Sequence, residues 1–410
     1  MQEQSVRPRK IEDYSSWLTN RQTDKLLRRA ETFRGKKVYE INSTATGGGV
    51  VELLRSQIPL MRGLGIDAQW LVLPPDDRFF AITKQFHNAL QGGRDSLPED
   101  LEYYDVYTQK VAASIPRDGD LYILHDPQTL GLIPFLADKP VIWRCHIDLT
   151  NAEPHTFAWL RRRLRAVDRS IFSLESYTAG IENTSIVQPS IDPLQPKNQS
   201  LSDEVADKVI ASLGIDPSRP FITQISRYDM FKDPIGVLEI ARRIQTMIPG
   251  LQCVLLGNYA DDDPEGEEMF RSVLSAAEGM VDTHILVNVA DNERAVNALQ
   301  TRAAAVVQYS SREGFGLTVT EAMWKGALMC ARPVGGILLQ VKNGKTGITL
   351  SGKYDYDAQR IAHVLQDKHL AARLGAAAHQ HVEKNFITPV MLSEYLVAYE
   401  QAVQVAAKVS

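Results

Sequence analysis

The sequence predicts an α/β protein of two Rossmann-like domains, each built on a parallel sheet, facing one another across a cleft. Three observations carry that prediction. Apolar runs of strand length alternate with helical segments in both halves of the 410-residue chain, which is too long for one comfortable core. The segment Gln188 to Lys197 holds three prolines, as an interdomain linker does. Each half also contains a strand that runs through a glycine-rich turn into a helix, around Gly47-Gly48-Gly49 and again around Gly314 and Gly316.

Composition narrows the functional classes. The chain is 44% hydrophobic and 23% charged, the balance of a water-soluble globular protein. Its net charge of −5 gives no support to nucleic-acid binding. The basic run Arg161-Arg162-Arg163-Leu164-Arg165 reads as the wet side of a helix. Cys145, Cys253 and Cys330 lie far apart, with no Cys-x-x-Cys pair, so neither a disulfide framework nor a zinc knuckle is expected. No apolar run approaches membrane length, and the first residues lack the apolar core of a signal peptide; the expected compartment is the cytoplasm, with no membrane partner.

Residues from about Ile11 to Phe33 read as a charged helical lead-in. Lys37 to Asn42 is the first buried strand, and the triple glycine after it lets a ligand approach the backbone with no Cβ in the way. Its spacing is not the dinucleotide fingerprint. Ala68 to Leu73 is a second strand, and Phe79 to Asn88 a helix lining the same cleft. Leu121 to Leu124 delivers His125-Asp126-Pro127-Gln128 at its carboxyl end, and Val141 to Cys145 delivers His146 and Asp148. Ligands of open α/β sheets bind outside the carboxyl ends of strands, so these two His-Asp pairs are well placed. The remaining histidines (His155, His284, His363, His369, His379, His381) are expected to be structural, and no metal site is expected.

In the second half, Pro220 to Ile225 is a strand leading to a loop that carries Arg227 and Lys232. A guanidinium and an ammonium there suit a diphosphate, against the plainer alternative of surface salt bridging. Leu251 to Asn258 and His284 to Val289 are further strands, each ending in groups able to edge a nucleobase. Asp261-Asp262-Asp263 reads as a solvated loop and helix start. Ala303 to Tyr309 is a strand that enters the stretch Ser310 to Glu321, with Glu313 and Glu321 on either side of a glycine turn, before the helical Ala322 to Gly326. The start of that helix aims N–H groups and a positive dipole end at an anion. Two carboxylates beside such a site make sense for a nucleotide sugar, whose hydroxyls need acceptors while its diphosphate needs donors. Thr318 to Glu321 also fits a capping box, which leaves Glu321 with a purely local role as an alternative. The tail from about Gln359 to Lys408 is helical and carries no evident chemistry.

Glu313 and Glu321, seven residues apart, resemble the E-x7-E signature of retaining GT-B glycosyltransferases, and Arg227-x4-Lys232 is similar to that superfamily's donor-diphosphate pair. More narrowly, the chain resembles the trehalose glycosyltransferring synthases, which use a nucleoside-diphosphate glucose. The stretches concerned are Ile41-Asn42-Ser43-Thr44, the Gly47-Gly48-Gly49 loop, Thr83-Lys84 with His87-Asn88, His125 to Gln128, Trp143 to Asp148, Asp261 to Gly266, and Glu313 to Gly326. The relatives' Trp-Lys-Gly is here Phe231-Lys232-Asp233, and Ala331-Arg332-Pro333 follows the helix.

The resemblance implies a GT-B fold: an acceptor-binding domain over 1–195, a nucleotide-sugar-binding domain over 196–385, and a helix over about 386–410 packing back on the first. It implies Glu321 on the ribose and Glu313 on the transferred glucose. Arg227, Lys232 and the N–H groups of Leu317 and Thr318 would hold the diphosphate, with Gly48 and Gly49 allowing its approach. Asn258 and Asn288 complete the donor site, and His146 is expected beside the reacting carbon. Asp126, Asn42, His87 and Arg144 are expected on the acceptor. The reaction implied is transfer of glucose from UDP-, ADP- or GDP-glucose to glucose, giving α,α-trehalose. Retention is expected by same-face displacement, because Glu313 is expected on hydroxyls rather than under the anomeric carbon as a nucleophile. The resemblance further implies a homodimer, no tightly bound cofactor and stimulation by Mg2+. The alternatives are a same-fold transferase making another glycoside, a GT-B sugar-nucleotide isomerase, and a sugar-nucleotide sensor without turnover.

Overall fold

Thirteen strands order themselves into two sheets in this computed structural model, which describes residues 1–4, 6–46, 48–93, 97–258 and 264–409. Met1–Ser190 with Thr388–Ser410 form one compact unit, and Ile191–Ile387 form a second. The fold is α/β in both, as the alternation of runs predicts.

In the first unit the strands are β1 (Gln2–Glu3), β2 (Lys37–Asn42), β3 (Asp67–Val72), β4 (Leu121–His125), β5 (Val141–Arg144), β6 (Arg169–Phe172) and β7 (Thr184–Ile186), in the order β1-β3-β2-β4-β5-β6-β7. All pairings are parallel except β1 on β3, an antiparallel edge that the sequence reading did not foresee. The strand order reverses between β2 and β4, and their carboxyl ends therefore bound a crevice at a topological switch point. Aromatic packing on one face steadies that end. Phe79 stacks on Tyr107 with centroids 3.9 Å apart, and Phe86 stacks on Trp159 at 4.3 Å. The Tyr104 hydroxyl donates to the Pro127 carbonyl (2.8 Å) and accepts from the Gly131 N–H (2.9 Å), fixing the turn that follows β4. The helix Thr388–Val409 belongs to this unit, held by Arg29 to the Ser393 carbonyl (2.7 Å) and to Glu394 (3.1 Å).

The second unit holds β8 (Phe221–Ile225), β9 (Gln252–Gly257), β10 (Thr283–Val287), β11 (Ala305–Gln308), β12 (Met329–Ala331) and β13 (Ile348–Thr349), all parallel, in the order β10-β9-β8-β11-β12-β13. Here the order reverses between β8 and β11. The post-strand loops carrying Lys232 and Glu313 emerge on either side of that point.

The proline-rich segment is packed rather than slack. The Ile191 N–H donates to the Phe386 carbonyl (2.9 Å), Asn198 donates to the Asp192 carbonyl (3.0 Å), and Asn297 donates to the Pro196 carbonyl (3.0 Å). Its prolines remove donors, and buried side chains supply the missing pairing.

Candidate active site

In the first unit a cavity of about 130 Å³ opens at the switch point, lined by Asn42, Ser43, Thr44, Gly48, Gly49, Val50, Val51, His125 and Asp126. The triple-glycine loop and the end of β4 thus meet as the sequence suggests, although Gly47 lies outside the described residues. Gly48 takes φ +79° at the start of the helix Gly48–Gly63, a conformation that a Cβ resists.

Asp126 is the strained residue of this site, at φ 59° and ψ 178°. Hydrogen bonds to the end of β5 and beyond hold Asp126 there. Its N–H donates to the Arg144 carbonyl (2.9 Å), its carbonyl accepts from Trp143 Nε1 (3.1 Å), and its Oδ1 accepts from the His146 N–H (2.8 Å). Such strain persists only where surroundings over-determine it, and it gathers at functional sites. Burial disfavours the carboxylate and pushes the Asp126 pKa up to about 6.

His146 follows directly. Its Nε2 lies 2.9 Å from His125 Nδ1, and His125 Nε2 lies 2.7 Å from Glu40 Oε2. Burial, reinforced by the positive Arg144 nearby, keeps the His146 imidazole neutral, its pKa well below the ordinary value. Glu40 Oε1 accepts from Gln57 Nε2 (2.9 Å) and from the Tyr399 hydroxyl (2.6 Å). A residue in the C-terminal helix therefore bears on the site, a link the sequence reading missed.

Two residues expected on the acceptor also have protein partners. The Arg144 guanidinium is fully buried, donating from Nη2 to Ser173 Oγ (3.1 Å) and the Val187 carbonyl (3.0 Å), with the Tyr395 ring 5.6 Å away. It faces the interior, because side chains alternate across a strand and Arg144 closes β5. Asn42 lines the cavity, but its amide is already engaged, accepting from Trp70 Nε1 (2.7 Å) and donating to the Thr44 carbonyl (2.6 Å). It shapes the glycine loop from within. His87 sits half-buried on the helix Asp77–Leu90.

In the second unit Lys232 and Glu313 are brought together. Lys232 Nζ lies 2.6 Å from Glu313 Oε2, with side chains 17% and 11% exposed. Gln224 Nε2 donates to the Lys232 carbonyl (2.8 Å), and the Ser311 N–H donates to the Phe231 carbonyl (2.8 Å), so the two loops are tied to one another. Arg227 stands apart from that pair. Its side chain is 71% exposed and lies 3.5 Å from Asp229 within the same loop.

The helix Leu317–Trp324 starts at Gly316, φ +86°, with no side-chain cap. A Cβ on Gly316 would lie 3.2 Å from Glu313 Cγ, which places Glu313 against the helix entry. The N–H groups of Leu317 and Thr318 find no acceptor among the described residues, leaving first-turn donors for an anion. The capping-box alternative fails. Thr318 lies inside the helix, and Glu321 pairs instead with Lys197 at 2.6 Å, both nearly buried. Lys325 is half-buried beside it, bonding Gln300 Oε1 (2.9 Å), and desolvation lowers its pKa to about 8.

Gln340 pins the turn, donating from Nε2 to the Phe315 carbonyl (2.7 Å) and accepting from Thr320 Oγ1 (2.8 Å). Asn258 and Asn288 are both exposed, just beyond the carboxyl ends of the neighbouring strands β9 and β10. Asp261, Asp262 and Asp263 lie outside the described residues. His379 and His381 are structural, donating to the carbonyls of Trp324 and Leu339.

Glu40, Lys197 and Gln340 were not singled out from sequence. A carboxylate inside the otherwise apolar run Val38 to Ile41 was the available signal for Glu40. Lys197 gave none, since its partner is distant in the chain.

Residues 40–179 match the family model described as trehalose synthase, N-terminal domain, and residues 205–381 match glycosyl transferases group 1. The chain is 38% identical over 396 residues to a trehalose synthase of Pyrococcus horikoshii, covering 95% of each chain. It is 35% identical over 398 residues to a trehalose synthase of Rubrobacter xylanophilus, covering 94% of this chain and 95% of that one. Among solved structures it is similar to an alpha,alpha-trehalose-phosphate synthase (UDP-forming) from Burkholderia xenovorans, with TM-score 0.69, 13% identity, and coverage of 89% of this chain and 100% of that one. That likeness bears on the fold, which is of the GT-B class. The chain belongs to the trehalose synthase family of glycosyltransferases.

Proposed function

We propose that this protein transfers glucose from a nucleoside-diphosphate glucose to free glucose, forming α,α-trehalose with retention at the donor carbon. The observation that carries the reading is the Lys232 ammonium fixed 2.6 Å from Glu313, against the uncapped entry of the helix Leu317–Trp324. An ammonium and two free N–H groups suit a diphosphate, while Glu313 suits a sugar hydroxyl. Arg227 adds a second cation from its exposed position, Glu321 takes the ribose, and Asn258 with Asn288 edge the base. In the first unit Gly48 and Gly49 admit the diphosphate, His146 contacts the transferred sugar, and Asp126 and His87 hold the acceptor.

In this reading the acceptor oxygen attacks the anomeric carbon on the face the phosphate leaves. The bond from carbon to phosphate oxygen breaks as the bond to the acceptor oxygen forms, and the departing phosphate oxygen takes the acceptor's proton. Glu313, paired with Lys232, serves sugar hydroxyls in this reading and is not the nucleophile. Catalysis then rests on stabilising the leaving group's charge. The protein acts as a cytoplasmic homodimer, and magnesium is assigned no protein site.

Incubation with glucose and, in turn, UDP-, ADP- and GDP-glucose tests this, with products identified by NMR. Trehalose from at least one donor is the expected result. Conversion of donor alone would indicate an isomerase, another disaccharide a different acceptor, and binding without turnover a sensor.

A further inference from the structure

The first unit contains a hydrogen-bonded chain that the proposed reaction does not by itself require. It runs from Tyr399 and Gln57 through Glu40 and His125 to His146. Glu40 is fully buried and His125 nearly so, whereas His146 is half-buried and sits beside the strained Asp126. Among the described residues the His146 Nδ1 has no protein partner, so this nitrogen is the end of the chain offered to a ligand.

Donor and acceptor roles along the chain can be worked out. The Gln57 amide nitrogen donates both to Glu40 Oε1 (2.9 Å) and to the Tyr399 oxygen (3.0 Å). Tyr399 therefore directs its own proton at Glu40 Oε1, 2.6 Å away; burial and the Glu40 carboxylate hold that hydroxyl well above its ordinary pKa, in its protonated form. Two donors converge on one oxygen of Glu40, an arrangement that suits a carboxylate accepting at both oxygens. The other oxygen then takes the His125 Nε2 proton. With His125 neutral, its Nδ1 keeps a lone pair, and His146 donates to it from Nε2.

We infer that Glu40, acting through His125, is a positioning residue that locks His146 in the Nε2–H tautomer and so presents a lone pair at Nδ1 to a hydroxyl of the transferred sugar. The inference rests on the reading of His146 as a sugar contact. A neutral imidazole of the opposite tautomer would offer an N–H at the same place, and it could not accept from that hydroxyl.

Glu40→Gln makes a sharp test. Gln57 and Tyr399 both donate to the Oε1 side, so the new amide turns its oxygen to them and its NH2 toward His125. His125 must then accept at Nε2 and donate from Nδ1, and His146 is driven to the Nδ1–H tautomer. Long-range 15N–1H spectra of protein labelled in its histidine rings, with His146 assigned through His146→Gln, read the tautomer in the free protein. The expected result is a bare Nδ1 on His146 in the parent protein and a protonated Nδ1 in E40Q. With this should come a fall in kcat of roughly tenfold, the worth of one neutral hydrogen bond. Calorimetric affinity for UDP, which is read on the second unit, should not change.

Tyr399→Phe is the control, since it weakens the hold on the C-terminal helix and leaves the carboxylate facing His125. Its His146 tautomer should match the parent, because Gln57 still donates to Glu40 Oε1 and the other oxygen still faces His125. A protonated Nδ1 in the parent, an unaltered tautomer in E40Q, or an equal loss of kcat in Y399F would overturn the inference. In the last case Glu40 merely anchors the helix. If the parent forms no trehalose, the proposed reaction fails, and the tautomer spectra alone decide the inference.

Discussion

Lys232→Ala isolates the charge stabilisation on which the proposed reaction depends. In the free protein the ammonium touches Glu313 at 2.6 Å, and both side chains are mostly buried, so the cation is held in place before any substrate arrives. A cation about 4 Å from a phosphate oxygen, at an effective dielectric near 20, contributes about 4 kcal/mol. That is on the order of a thousandfold in rate. Removing one preorganised donor from a developing anion typically costs about 10²–10³ in kcat, which agrees. The prediction is therefore a kcat lower by about 10²–10³ with donor and glucose saturating, and a KM for glucose changed by less than about threefold, because the loss falls on the leaving group. Initial rates of nucleoside diphosphate release measure both. Thermal unfolding of the variant shows whether the unit is intact. A kcat within about twofold of the parent, in a folded variant, would refute the role given to Lys232.

Three further outcomes follow from the geometry. With the Asp126 pKa pushed up to about 6, the unfolded chain releases this proton first as pH rises, so Asp126 removes stability between about pH 4 and 6. Asp126→Asn keeps an acceptor for the His146 N–H and should flatten that decline in pH-dependent Tm, gaining at most about 3 kcal/mol above pH 6 while reducing transfer. A Cβ at Gly336 would stand 2.5 Å from Phe315 Cα, so Gly336→Ala should cost about 1–3 kcal/mol by overpacking. It should also lower activity by shifting the Glu313 turn, and a urea midpoint equal to the parent's would contradict it. Lys197→Ala strips Glu321 of its 2.6 Å partner. The loss should be about 3 kcal/mol, the low end for a broken buried pair because Lys325 remains nearby, and urea denaturation at constant m measures it.

The parallel sheets were legible because fully buried strands announce themselves as apolar runs, as with Val141 to Arg144 and Phe221 to Ile225. The two-residue β1 gave no such signal, since its pairing depends on where β3 exposes an edge. Lys232 and Glu313 were legible through motif spacing, and the strand order then explains why loops far apart in sequence meet. Arg144 is enclosed at the end of β5, a placement the motif did not give, because a motif names residue types and not which face of a strand each one occupies. The buried partners of the site, Lys197 under Glu321 and Tyr399 on Glu40, were illegible for a simpler reason. A satisfied buried charge looks in sequence like any surface lysine or helix tyrosine until the chain is folded.

Proton and carbon NMR of the parent protein with a nucleoside-diphosphate α-glucose and [1-13C]glucose probes the proposed chemistry at the reacting atoms. The account predicts that the labelled carbon moves into an α,α-1,1 linkage as nucleoside diphosphate is released. A β-linked first product, or donor consumption that leaves the labelled glucose untouched, would contradict it.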